Sequence, residues 1–179
     1  MLSWERIPPL VRIPFLYGML GAGLSLAFAI SFYYFGKHPF WIFPMFDIRV
    51  FVIAIFLFIS LKEVRDYFFG GILYFWQALG GSLVYLFSMA FFSTMGLILF
   101  MAWQPNFLAD YISQGLDQLK NLSPNSIKEI GQPSIDELLK TLPDYTAQEM
   151  ASKYASQTLI IGTFITIIMS VILRRQPKI

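Results

Sequence analysis

The chain has 179 residues, of which 56% are hydrophobic and 13% are charged, and its formal net charge is +2. A soluble domain has roughly 25% charged residues, and a protein this small cannot bury so much apolar surface away from water. The composition predicts a single membrane domain over residues 1–179. The small net charge argues against nucleic-acid binding. The lack of Cys and the single His, His38, exclude disulfides, thiolate metal sites and any site that needs two imidazoles.

Four apolar blocks are close to or beyond the roughly 17–25 residues that a transmembrane helix needs. They cover about 13–36, 44–61, 75–103 and 156–173. A polar segment, residues 104–155, separates the last two blocks. The predicted fold class is therefore all-α, a polytopic membrane protein with four transmembrane helices. A small helical extracytoplasmic insertion is expected between helices three and four.

The first block carries small residues at four-residue spacing, in the pairs Gly18/Ala22 and Gly21/Ser25. Small side chains let helix backbones approach closely within a membrane. Two interpretations follow. The stripe packs against other helices of this chain, or it forms a docking face for a span of a partner protein.

The second block is the weakest span, because its uninterrupted apolar run, from Val50 to Leu61, is too short alone. It must include the residues from Pro44 onward, and so Asp47 and Arg49. These two charges are two residues apart and would not share a helix face. We expect both to be anchors at the membrane interface, with Arg49 extending outward to the headgroups. The alternative is a functional site, which an intramembrane charge suggests by default.

A charged turn follows the second block. We expect the helix to continue through it, with Lys62 and Asp66 close enough to pair at i, i+4 spacing. The Gly70-Gly71 pair should then break the helix. Together, Lys62, Arg65, Asp66, Gly70 and Gly71 form a candidate interaction or structural motif.

The polar segment has apolar residues at helical spacing, among them Phe107, Tyr111 and Leu116. This pattern predicts an amphipathic helix. Residues 122–133, rich in Ser, Asn, Pro and Gly, should form a turn. The apolar faces need cover, which can come from each other, from the membrane surface or from a partner protein.

Two capping-box spacings start the remaining helices. Ser134 with Glu137 should open a short helix, and Thr146 with Glu149 should open the last one. After Thr146 no proline occurs until Pro177. We therefore expect one continuous helix from about Thr146 through the fourth block.

Basic residues near the ends of the blocks predict the orientation, because Lys and Arg mark cytoplasmic ends. They occur before the first block, between the second and third, and after the fourth, as Arg6, Arg12, Lys62, Arg65, Arg174, Arg175 and Lys178. With four spans these segments share one side. The N- and C-termini are thus predicted to be cytoplasmic, and the polar segment to lie on the opposite side.

Catalytic motifs are absent from the sequence: there is no Walker loop, dinucleotide fingerprint or HExxH. The centres of the blocks carry no charge, which argues against ion-coupled transport. The leading hypothesis is a non-enzymatic accessory or scaffold subunit of a membrane complex, without cofactor or metal. Its expected partners are membrane lipids and other membrane proteins, and not nucleic acid.

A second hypothesis is a passive transporter or lipid-binding protein, and an intramembrane enzyme is a third. Passive transport would need a polar cavity lined by hydroxyls of the last two blocks. The candidates are Ser82, Ser88, Ser93, Thr94, Thr158, Thr163, Thr166 and Ser170.

Two short motifs and the chain's ending resemble a known family. They are Lys62-Glu-Val-Arg65-Asp66, then Gly70-Gly71-Ile-Leu-Tyr-Phe75-Trp-Gln-Ala78, and the final Ile172-Leu-Arg-Arg175. The pattern resembles the uncharacterised family called domain of unknown function 4199, small inner-membrane proteins found mainly in Bacteroidota. The resemblance implies a multi-pass protein of the bacterial inner membrane and brings no activity. Trp76 departs from the pattern, which commonly has a small residue there.

Overall fold

The computed structural model describes residues 6–36, 38–41 and 47–176, without the side chains of residues 125 and 129. Within these ranges the chain is all-helical. The helices are α1 (Pro9–Tyr34), α2 (Ile48–Glu63), α3 (Phe75–Trp103), α4 (Asn106–Lys120), α5 (Pro124–Ile130), α6 (Gln132–Thr141) and α7 (Ala147–Leu173). Two single 3-10 turns, Pro39–Trp41 and Leu142–Asp144, and one π-helical turn, Val64–Phe68, connect them.

Three of the helices, α1, α3 and α7, are long and apolar enough to cross a membrane. The helix α2 has 16 residues, about 24 Å at 1.5 Å per residue, which is short of a hydrocarbon core of about 30 Å. It begins at Ile48 because Asp47 caps it in an extended conformation. The predicted start at Pro44 lies outside the described residues.

The four longest helices form a bundle in the order α1, α3, α7, α2, with α2 closing the ring against α1. One apolar core fills one half of the bundle, around Leu57, Leu61 and Tyr85. A second core fills the other half, around Phe100, Phe107 and Tyr154. The segment from Asn106 to Asp144, here called the cap, covers this second half.

The small residues of α1 pack inside the bundle. Gly18, Gly21, Ala22 and Ser25 are all buried. A Cβ atom on Gly18 would lie 2.6 Å from the Tyr85 carbonyl oxygen and 2.7 Å from the Ser88 Cβ. Glycine is therefore what lets α1 approach the backbone of α3. The interpretation as internal packing is confirmed, and the docking-face interpretation is wrong.

Gly18→Ala is expected to lower the free energy of unfolding by about 2 kcal/mol, because overpacking forces the two helix backbones apart. Gly23→Ala is the matched control on the same helix, since a Cβ there meets nothing within 4 Å. Thermal unfolding in detergent should separate the two variants. Equal melting temperatures for both would contradict this close approach of α1 and α3.

The cap differs from its prediction in two places. Residues 122–133 were expected to form a turn, but α5 lies within them, capped by the Ser123 hydroxyl, which accepts the Ser126 N–H at 3.2 Å. The next helix was expected to open at Ser134 and instead begins at Gln132. Gly131, with φ of +89°, turns the chain there, and Pro133 occupies the first turn, where its missing N–H is not needed.

The last helix agrees with its prediction. The Thr146 hydroxyl accepts the Glu149 N–H at 3.2 Å, and the Glu149 carboxylate accepts the Thr146 N–H at 2.7 Å. From this capping box α7 runs for 27 residues without interruption. Its first turns help cover α4, whose Phe107 and Tyr111 are buried in the second core. The chain itself thus covers the buried face of α4.

Candidate functional site

The charged turn after α2 is π-helical over Val64–Phe68. Arg65 pairs with Asp66, with Nε donating to Oδ1 at 2.7 Å. The expected Lys62–Asp66 ion pair does not form, because its spacing argument assumed an α-helix, whereas a π turn bonds residue i to i+5. The pKa of Asp66 is lowered, chiefly by the Arg65 hydrogen bond, with smaller contributions from the charges of Arg65, Lys62 and Arg175.

Two glycines end this turn, as predicted. Gly70 and Gly71 have φ of +59° and +82°, a left-handed conformation that glycine adopts without steric cost. The chain then pairs with its own C-terminal segment. The Leu73 N–H donates to the Arg175 carbonyl at 3.0 Å, and the Arg175 N–H donates to the Leu73 carbonyl at 2.8 Å. This contact brings the C-terminal arginines to the charged turn, and no periodic pattern in the sequence signals it.

The second candidate pair, Asp47 and Arg49, lies at the other end of α2. Asp47 is the N-cap, and its carboxylate accepts the Arg49 backbone N–H at 2.9 Å. The same carboxylate binds the Arg49 guanidinium, with Nε donating to Oδ2 at 2.7 Å and Nη2 also in contact. We expected the two charges on different helix faces because both were placed within a helix. Asp47 instead caps the helix in an extended conformation, so its carboxylate can reach Arg49.

The guanidinium of Arg49 points into the protein. Nη1 donates to the Thr158 hydroxyl at 3.0 Å and to the Tyr154 carbonyl at 3.3 Å. Nη2 donates to the Gln157 side-chain oxygen at 3.1 Å, and the group lies 4.4 Å from the centre of the Tyr154 ring. With 5% of its surface exposed, Arg49 does not reach outward, so that prediction is wrong. The acceptors on α7 offset the cost of burying it.

His38 lies at the centre of an aromatic cluster under the cap. The Phe40 N–H donates to its Nδ1 at 3.4 Å, so its Nε2 carries the proton and donates to the Phe107 carbonyl at 3.2 Å. The rings of Phe107 and Tyr111 lie 4.4 and 5.2 Å away. Burial lowers the pKa of His38 to about 4, with the Phe107 hydrogen bond and the charge of Asp110 opposing the shift.

Trp41 fixes the same cluster to α4. Its indole N–H donates to the Tyr111 carbonyl at 3.1 Å, and its ring stacks on that of Tyr111 at 4.8 Å. The close fit requires Gly115, where a Cβ would lie 2.3 Å from the indole. The amphipathic pattern of α4 predicted a buried face. It did not predict that the Trp41 ring packs directly against Gly115 on that helix.

A model of the family described as Protein of unknown function (DUF4199) matches residues 16–175. The chain belongs to this family. No curated protein and no solved structure matches it. The matched region of this DUF4199 chain includes α2, the charged turn, the cap and Arg175, and thus every candidate residue named above.

Seven of the eight candidate hydroxyls in the bundle of the DUF4199 chain donate to carbonyls within the chain, whereas Thr94 Oγ1 is buried without a hydrogen-bond partner among the described residues. Ser82 and Ser170 lie 3.2 Å apart, and each donates to a carbonyl of its own helix. Thr158 and Thr166 also donate to carbonyls of their own helix, and both are fully buried. These four candidates for a polar pathway therefore act as helix-packing contacts.

The two predicted sets of site residues are not brought together. Arg49, paired with Asp47, contacts the first half of α7 at Thr158, whereas the charged turn lies near the end of α7. Among the described residues of the DUF4199 chain, no three His, Cys, Asp or Glu side chains converge to hold a metal ion. At each end of α2 an arginine pairs with a nearby aspartate, Arg49 with Asp47 and Arg65 with Asp66.

Proposed function

We propose that this protein is a non-enzymatic accessory or scaffold subunit of a membrane complex, with four spans in the bacterial inner membrane and both termini in the cytoplasm. The observation that carries the proposal is the state of Arg49, the most buried Lys or Arg among the residues that the structure describes. All of its polar hydrogens face protein acceptors on Asp47 and α7. A transported ion or small ligand would need such a group to be available.

The path of α2 supports a fourth span. Its first turn contacts Tyr154 and Thr158, in the third and fourth turns of α7. Its last turn reaches the opposite end, where Leu61 and Leu10 both pack at Gly81. The helix thus follows the bundle between α1 and α7 from the level of Thr158 to the end near Leu10, and the π-helical turn to Phe68 adds to its length.

The cap supplies a surface for a protein partner. Its α4 face is covered by the bundle, but Ile130 and Leu138 on α5 and α6 remain 47% and 45% exposed. We propose that the partner packs on these two side chains, which would remove their apolar surface from water. The internal hydrogen bonds of seven of the eight candidate hydroxyls support this binding role over passive transport.

The test is purification from the native membrane in a gentle detergent, with cross-linking and mass spectrometry. We expect a partner in constant ratio, cross-linked to the cap and lost in Ile130→Glu/Leu138→Glu. The control is Asp117→Asn/Lys120→Gln, which changes exposed polar residues of α4 and should keep the partner. A monodisperse monomer without a constant companion would overturn the proposal.

A further inference from the structure

Three distant parts of the chain bring basic residues to one end of the bundle. Leu10, near the start of α1, packs at Gly81 beside Leu61 of α2, and the backbone pair of Leu73 and Arg175 adds the end of α7. The cations of this basic end are Arg6, Arg12, Lys62, Arg65, Arg174 and Arg175. It lies opposite the cap.

The carboxylates at the basic end are already engaged. Asp66 binds Arg65, and Glu63 accepts the Tyr17 hydroxyl at 2.7 Å. Lys62, Arg174 and Arg175 are exposed, and none of them forms an ion pair within the described part of the chain. With six cations against the two carboxylates of Glu63 and Asp66, the basic end keeps an excess of positive charge among the described residues.

Exposed aromatic side chains surround these cations. Tyr67 is 82% exposed and Trp76 is 76% exposed, and Tyr74 lies between them in sequence at 46%. Tyr and Trp favour the headgroup level of a bilayer, because each joins an apolar body to a polar tip. The basic end thus combines cations with Tyr and Trp side chains, all of which are favoured at the headgroup level of a bilayer.

We propose that the basic end is a docking surface for anionic lipid headgroups, with Lys62, Arg174 and Arg175 as the phosphate-binding cations. Each cation lies within about one turn of an apolar helix end, so the charges lie where hydrocarbon meets headgroups. Clusters of four or more Lys and Arg directly beside a span are typical of anionic-lipid binding. Arginine also offers a planar pair of donors that fits a phosphate. This inference does not rest on the proposed scaffold role.

The pairing of Leu73 with Arg175 gives the surface its shape. The two backbone hydrogen bonds hold the residue after α7 against the segment before α3. Arg174 and Arg175 are thereby held near the charged turn that follows Lys62 at the end of α2. Without this pairing they would belong to an unattached segment after α7. A pre-positioned set of cations loses less freedom on binding than the same residues in a flexible tail.

The experiment uses the full chain in neutral nanodiscs containing a small fraction of fluorescent phosphatidylglycerol or fluorescent phosphatidylcholine. Energy transfer from the protein's tryptophans reports the lipid next to it. We expect at least tenfold enrichment of phosphatidylglycerol over phosphatidylcholine, decreasing with added salt. Equal signals for both lipids would overturn the proposal.

Two variants of the basic end and one control variant of the cap locate the lipid-binding surface. Lys62→Gln/Arg174→Gln/Arg175→Gln should remove the enrichment, since each cation near an anionic surface contributes roughly fivefold. Arg174→Lys/Arg175→Lys keeps the charges and should retain most of it, which separates lost charge from misfolding. The control Lys120→Gln/Lys128→Gln/Lys140→Gln removes as many cations from the cap and should bind as the unaltered chain does. An equal loss in this control would show that net charge, and not the basic end, attracts the lipid.

Discussion

Arg49→Met is expected to lower the free energy of unfolding by about 3–5 kcal/mol, the range seen when one partner of a buried ion pair is removed. The substitution removes the cation that contacts Asp47 on one side and Gln157 and Thr158 on the other. It leaves Asp47, whose side chain is 18% exposed in the unaltered chain, without its counter-charge. The link between the start of α2 and α7 is lost with it. Thermal or SDS-induced unfolding in detergent measures the effect.

Two further variants distinguish charge from geometry at Arg49. Arg49→Lys keeps the positive charge but cannot make the forked contacts, so it should lie between the unaltered chain and Arg49→Met. Asp47→Asn/Arg49→Met removes both charges and should be more stable than Arg49→Met alone, because no unpaired carboxylate remains. If Arg49→Met unfolds within about 0.5 kcal/mol of the unaltered chain, as surface substitutions do, the guanidinium is exposed and its inward contacts are absent.

Local patterns predicted the parts of this fold that local physics determines. The third apolar block coincides with α3 at Phe75–Trp103, because nothing within it competes with the helix. The last helix followed from Thr146 and Glu149, whose mutual capping bonds join residues three apart. The glycines at 70 and 71, both with positive φ, ended the π-helical turn after α2 for the same reason. In each case the partners lie within a few positions of each other.

The errors occurred where a side chain finds its partner far along the chain. Arg49 contacts residues more than a hundred positions away, so its inward direction cannot be read from its neighbours. One signal was available, because Asp is a favourable N-cap residue. From the N-cap, the carboxylate of Asp47 can reach the basic side chain of Arg49, two residues further on. The pairing of Leu73 with Arg175 joins two irregular segments without any repeat, and α6 began early because Gly131 turns the chain before it.

Acidification is expected to loosen the cap, because His38 is held neutral within an aromatic cluster. Its Nδ1 accepts the Phe40 N–H, and its Nε2 donates to the Phe107 carbonyl. A proton on Nδ1 would turn this acceptor into a donor facing another donor and would place a charge among rings. Asp110, on α4, is the nearby carboxylate and offsets only part of this cost.

The pH window follows from the pKa of His38, which falls from an ordinary 6.5 to about 4 in the folded chain. Above pH 6.5 the imidazole is neutral in both states, and its contribution to stability is fully present. Between pH 6.5 and 4 the unfolded state takes up the proton first, so this contribution is lost, on the order of 3 kcal/mol in all. About 2 kcal/mol of it should be lost between pH 7 and 5.

Hydrogen exchange of the amides in α4 reports this loss locally, compared at pH 7 and pH 5 after correction for the intrinsic rate. His38→Gln keeps a donor for the Phe107 carbonyl but does not titrate. The variant should therefore be less stable at pH 7, and its protection should decline less toward pH 5 than that of the unaltered chain. Carboxylates titrate in both chains, so their effect on protection cancels when the decline in the variant is subtracted from that in the unaltered chain. Parallel declines would show that His38 is not the group whose protonation opens the cap.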